Sequence, residues 1–128
     1  MRPNTYFLID DDQDDREIFA LATEEVNPEN VCFTCQNGNE ALRLLVSKEI
    51  TPTHIFIDIN IPRMNGKECL AAIRELRHLN TIPVFMYTTS SDVKDKSEFI
   101  ALGARAIITK PSKISQLVIL LGNLPDNQ

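Results

Sequence analysis

Five short apolar runs recur along the chain, at 6–9 (YFLI), 31–35 (VCFTC), 54–58 (HIFID), 82–87 (IPVFMY) and 105–109 (RAIIT). Each is followed by a longer stretch in which apolar residues fall at helical spacing, over 14–26, 39–49, 66–78, 91–102 and 113–122. Runs of this length suit strands and the longer stretches suit helices, so the alternation predicts five βα repeats. The runs are continuously apolar rather than alternating, as strands covered on both faces are. The expected fold class is therefore α/β: a (βα)5 doubly wound parallel five-stranded sheet with helices on each side.

The punctuation agrees. Pro28 closes the first helical stretch, Asn37-Gly38 turns into the second, Pro52 separates that helix from the third strand, and Gly103 stands where a helix C-terminus needs a residue of free backbone. In ECLAAIREL, Cys69, Ile73 and Leu76 share one helical face with Leu70 beside them, which is core patterning. With 128 residues and 43% hydrophobic content, a single domain over 1–128 is expected.

Charge and cysteine content exclude several functions. The net charge is −5 and no segment is densely basic, so direct binding to nucleic acid is not expected. The apolar run near the N-terminus, Tyr6 to Ile9, is too short for a signal peptide or a membrane span, which points to a cytoplasmic protein without membrane contact. Three cysteines do not suggest a disulfide framework. Cys32 and Cys35 spell CxxC inside a strand run, where residues three apart face opposite sides, so they read as packing residues rather than a redox pair.

The chemistry lies at the strand ends. In FLIDDDQDD, five aspartates occupy six positions directly after the first run. Like charges that close repel by about 1 kcal/mol even in water, so a compensating cation or helix end is required. In an open parallel sheet, ligands bind beyond the carboxyl ends of the strands, where the strand order reverses. With order 2-1-3-4-5, the first and third strands are neighbours, and Asp10 and Asp11 then meet Asp58. Three converging carboxylates suit a hard divalent cation such as Mg2+, which takes one or two carboxylates and leaves positions for water and phosphate oxygens. Thr88 after the fourth strand offers a hydroxyl, and Lys110 after the fifth an ammonium suited to a phosphoryl oxygen. Asp12, Asp14 and Asp15 are assigned to the start of the first helix, where capping and the helix dipole favour acids. An EF-hand is excluded, because a loop beginning at Asp10 would put Asp15 at its glycine position and Leu21 at its glutamate position.

LIDDD, NGNEAL, FIDINIPRMNG, PVFMYTT and GARAIITKP, in this order and spacing, make the chain resemble the receiver domain of two-component response regulators, the CheY-like family. The resemblance covers essentially the whole chain and implies a flavodoxin-like sheet of order 2-1-3-4-5. It implies a phosphorylation-activated signalling switch, stand-alone because no output module follows residue 128, rather than a turnover enzyme; the chemistry it catalyses is its own phosphorylation and dephosphorylation. Asp58 would be the phosphoacceptor, taking a phosphoryl group from a sensor histidine kinase or phosphotransfer protein. Asp10, Asp11, Asp58 and the backbone carbonyl of Asn60 would hold Mg2+ or Mn2+, with Asp10 acting mostly through water. Thr88 and Lys110 would hold the phosphoryl oxygens, and the Lys110–Pro111 bond would be cis, aiming the lysine inward. The downstream target would be another protein.

Two features depart from or extend that pattern. Ile107 stands three residues before Lys110, where the family often has a large aromatic ring, so a threonine-coupled ring switch of the usual kind is not expected. The stretch 91–102 carries few apolar residues and five charges between Asp92 and Glu98, which marks helix four as the mobile element. In the last helix, Ile114, Leu117, Val118 and Leu121 form a core stripe while Ile119 and Leu120 extend the apolar surface, as a homodimer or target interface would. His54 opens a strand run and His78 ends a helical stretch, so neither reads as a relay histidine. A haloacid-dehalogenase-like phosphatase would need a second aspartate where Asn60 stands, and a flavodoxin-like binding module would have to place phosphate on an acidic rim.

Overall fold

The computed structural model describes residues 2–90 and 93–124. In chain order these form β1 (Thr5–Ile9), α1 (Gln13–Val26), β2 (Val31–Cys35), α2 (Gly38–Val46), β3 (His54–Asp58), α3 (Gly66–Arg74), a 3-10 turn (Arg77–Leu79), β4 (Val84–Thr88), α4 (Lys96–Ala101), β5 (Ala106–Thr109) and α5 (Ile114–Gly122). The strands make one sheet in the order β2-β1-β3-β4-β5, every pair parallel, so the expected topology is the observed one.

The two-residue period of the strands divides the core into two layers. Phe7, Ile9, Ile55, Ile57, Val84 and Met86 face α2, α3 and α4, meeting Ala41, Leu45, Cys69, Leu70, Ile73 and Phe99. Tyr6, Leu8, Phe56, Phe85 and Tyr87 face α1 and α5, meeting Phe19, Ala22, Leu117 and Leu121. The second layer is a set of interlocked rings: Phe19 lies edge-on to Phe56 and Tyr87 at 5.0 and 5.7 Å, and Phe56 stacks on Phe85 at 4.9 Å. His54 belongs to this layer, stacked on Tyr6 at 5.2 Å, and the His78 ring lies 3.1 Å from the Leu45 carbonyl, so both histidines are structural. Cys35 is buried in the first layer and Cys32 packs on the second, on opposite faces as strand geometry requires.

Element ends differ from the sequence reading where local chemistry stops a period. The second helical stretch ends at Val46 rather than 49, because Lys48 takes φ +63°, outside the helical region. The third ends at Arg74 and resumes only as a 3-10 turn, Leu76 between them being extended. The fourth strand begins at Val84 rather than 82, since the Ile82 amide is still donated to the Leu79 carbonyl. Helix four spans Lys96–Ala101 instead of 91–102; residues 91 and 92 lie outside the described residues, and Asp95 makes no side-chain cap. β2 is an edge strand with Val31 and Phe33 exposed, so the expectation of strands covered on both faces fails there. In α5 the expected core stripe holds at Leu117, Val118 and Leu121, but Ile114 is exposed, and Leu120, expected on the outer surface, also packs on the ring layer.

Two glycines are required by close approach. Gly103 follows α4 at φ +111°, and a Cβ there would lie 2.6 Å from Arg74 Cδ. A Cβ on Gly66 would lie 2.8 Å from Ile59 Cα, so the start of α3 can press against the loop that leaves β3.

Candidate functional site

The site sits where β1, β3, β4 and β5 deliver their carboxyl ends to one rim. Asp10 follows β1 and is fully buried: its amide donates to the Cys35 carbonyl at 3.0 Å, its Oδ1 accepts from the Asp12 amide at 3.0 Å, and Arg16 Nη1 donates to its carbonyl at 2.9 Å. Asp58 ends β3, level with Tyr87, and its Oδ1 accepts from the Asn60 amide at 3.0 Å. Asp11 is exposed beside them. Asp10, Asp11 and Asp58 each offer an oxygen within 4.8 Å of the other two. Such a set of hard oxygen donors fits Mg2+ or Mn2+ in both charge and ligand type.

Lys110 closes the rim from β5, its amide bonded to the Thr88 carbonyl at 2.6 Å. Its Nζ donates to Asp10 Oδ2 and Asp15 Oδ2, both at 2.8 Å, and to Asp58 Oδ2 at 3.3 Å, and it lies 5.3 Å from the centre of the Tyr87 ring. Burial works against the ammonium, but its bonds to Asp10 and Asp15 outweigh that and raise its pKa. Burial pushes the Asp10 carboxyl up to about 6, even though the Lys110 hydrogen bond pulls it the other way.

Thr88 ends β4, buried, with its hydroxyl oxygen accepting from the Ser90 amide at 3.2 Å. It opens onto a cleft of about 240 Å3 shared with Ile59, Asn60, Ser90, Val93, Lys94, Asp95 and Phe99. The rim is therefore two-sided. Asp58 and Lys110 continue the phase of the ring layer, where Phe56 and Ile108 pack, whereas Thr88 continues the phase of Met86, on the side of α4.

Two expectations are corrected. The Lys110–Pro111 bond is trans, the form X-Pro prefers by about 0.5–1 kcal/mol, and Lys110 Nζ reaches the acids in that form. Asp12 caps α1 by accepting from the Asp15 amide at 3.0 Å, as assigned, but Asp15 does more than support the helix start, since it also pairs with Lys110. Helical spacing could not have signalled that pairing, because Asp10 and Asp11 precede the extended Asp12 cap and lie outside α1.

A family model described as the response regulator receiver domain matches residues 6–121. The chain belongs to the response regulator receiver domain family. Over 121 residues it is 32% identical to the DNA-binding transcriptional regulator NtrC of Salmonella typhimurium (strain LT2), covering 94% of this chain and 24% of that protein. The chain thus spans about a quarter of that relative's length. Among solved structures it is similar to the phosphorylated cyanobacterial phytochrome response regulator RcpA, at TM-score 0.81 and 28% identity, covering 94% of this chain and 90% of that one. It also shares the fold of the Mn2+-bound response regulator Rcp1, at TM-score 0.80 and 23% identity, covering 94% and 90% of the two chains. Receivers are the phosphorylation-activated switches of two-component systems; they take phosphoryl groups from histidine kinases and act through protein contacts. Nothing in the receiver's site favours the phosphatase or flavodoxin-like alternatives. No helix among the described residues is long and apolar enough to cross a membrane.

Proposed function

We propose that Asp58 is the phosphoacceptor, with Asp10, Asp11, Asp58 and the Asn60 carbonyl holding Mg2+ or Mn2+, and with Thr88 and Lys110 binding the phosphoryl oxygens. The observation that carries this reading is the convergence of three acids from β1 and β3 within 4.8 Å, with Lys110 Nζ 3.3 Å from Asp58 Oδ2. In the transfer, an Asp58 carboxylate oxygen bonds phosphorus as the P–N bond of a phosphohistidine breaks, and the electron pair leaves with the imidazole. Bound metal supplies charge neutralisation for the acids and the incoming phosphoryl oxygens. The Asn60 amide holds Asp58 in orientation, and Lys110 provides an ammonium already turned to the reacting carboxylate. Thr88, on the opposite phase of the rim, supplies a hydroxyl that donates to a phosphoryl oxygen from the α4 side.

The chain acts as one receiver domain over 1–128, in the cytoplasm, taking its phosphoryl group from a sensor histidine kinase or phosphotransfer protein and signalling to a protein target. A homodimer through α5 is supported by Ile119, 65% exposed, and by exposed Ile114 on the same helix; sedimentation with and without beryllofluoride tests it, and a monomer in both conditions removes it. The central test is intact-mass analysis after incubation with acetyl phosphate and Mg2+. Wild type gains one phosphoryl mass, Asp58→Asn gains none, and prior chelation abolishes the gain; an equal gain in Asp58→Asn overturns the assignment.

A further inference from the structure

We propose that Asp15 is a positioning residue for Lys110, the acid that keeps the ammonium engaged when a divalent cation occupies the oxygens of Asp10 and Asp58. This inference rests on the metal-site reading above. An ammonium has three donors, and here all three are used, on Asp10, Asp15 and Asp58. Two of those acids belong to the trio whose oxygens converge within 4.8 Å, and Asp15 lies outside it. Oxygens engaged by a dication are poor acceptors for a second cation, and the two positive charges repel. Lys110 cannot simply turn to water, because its side chain is only 9% exposed and an unpaired ammonium there is costly.

Asp15 is placed to take up that bond. It is the third residue of α1, where the helix dipole favours a carboxylate, and its own amide is tied to the Asp12 cap at 3.0 Å. Its side chain is 33% exposed, so it keeps contact with water while facing the lysine. Without Asp15, Lys110 stays on Asp10 and Asp58 and competes with the cation for the same oxygens. With Asp15, the ammonium stays over the Tyr87 ring, near Asp58, at the position where a phosphoryl oxygen would meet it.

The test is calorimetric titration with Mg2+ alone, on wild type, Asp15→Asn, Asp15→Glu, Lys110→Met and the Lys110→Met/Asp15→Asn double variant. Asp15→Asn weakens Mg2+ binding about tenfold, and Asp15→Glu recovers most of it. In the Lys110→Met background the same Asp15→Asn change costs about twofold or less, the remainder being loss of one nearby charge in water. Asp15→Asn binding Mg2+ as wild type does, or an equal tenfold loss in both backgrounds, overturns the inference. Failure of wild type itself to bind Mg2+ overturns the site reading beneath it, which separates the two.

Discussion

The two faces of the sheet support the same rim in different ways. On one, α1 runs fourteen residues, is capped by Asp12, and locks Phe19 into a layer of six packed rings, His54 included, beneath Asp58 and Lys110. On the other, α4 has six residues, no side-chain cap, and Phe99 as its buried residue. It is tied to α3 by Lys67, which pairs with Asp95 at 3.2 Å and Glu98 at 2.9 Å, exposed bonds of the kind that add little stability. Few contacts therefore hold α4 beside Thr88, whereas the acids and Lys110 stand over a packed layer of rings. The expectation that follows is that α4 opens more readily than α1.

The largest expected effect tests the ring layer. Phe19→Ala should lower unfolding free energy by about 3–5 kcal/mol, because the hole is walled by rings that cannot collapse. Phe99→Ala should fall at the low end of that range, about 3 kcal/mol, since α4 can settle toward the vacancy. Urea unfolding measures both, and equal losses would erase the contrast between the faces.

Hydrogen exchange should distinguish the two helices at backbone level. Amides of α4 should open with free energies well below the global value, while those in the middle of α1 exchange only with global unfolding. Beryllofluoride should change protection in 96–101 more than in 13–26. Uniform protection across 91–102, with and without the analogue, would contradict the assignment of α4 as the mobile element.

A smaller effect is expected from the cap. Asp12→Ala removes the side-chain bond to the Asp15 amide and should cost about 1 kcal/mol by thermal or urea unfolding. Because Asp15 is held by that bond, the same variant should also weaken Mg2+ binding, whereas Asp95→Ala on the other face should not.

The smallest effect is in the thiols, which sample both layers. Burial pushes Cys35 and Cys69, on the α2–α4 face, up to about 12, and Cys32, on the ring face, up to about 11. A thiol pKa raised in the folded state binds its proton more tightly there than in the unfolded chain. Its contribution is therefore present below the unfolded value near 9 and is lost as pH rises toward 11–12. At pH 8, alkylation of the folded protein should be slow at all three, and rapid alkylation of Cys69 without unfolding would show the α3 side opening on its own.

The residues carry much of this architecture openly. Five apolar runs and five helical stretches specify a parallel α/β sheet, because strand and helix periods are local properties of consecutive side chains. The placement of Asp10, Asp11, Asp58, Thr88 and Lys110 on one rim follows from their position at the end of those runs or one or two steps past it, once the strand order is known. Features that depend on distance and packing between elements are set by the assembled fold. The Lys110–Asp15 bond joins residues 95 apart and exists because β5 ends where α1 begins, on one rim of the sheet. The trans form of Lys110–Pro111, the exposure of Ile114 and the shortness of α4 were likewise hidden, since each is set by what the neighbouring elements cover, and no periodicity within a segment reports its neighbours.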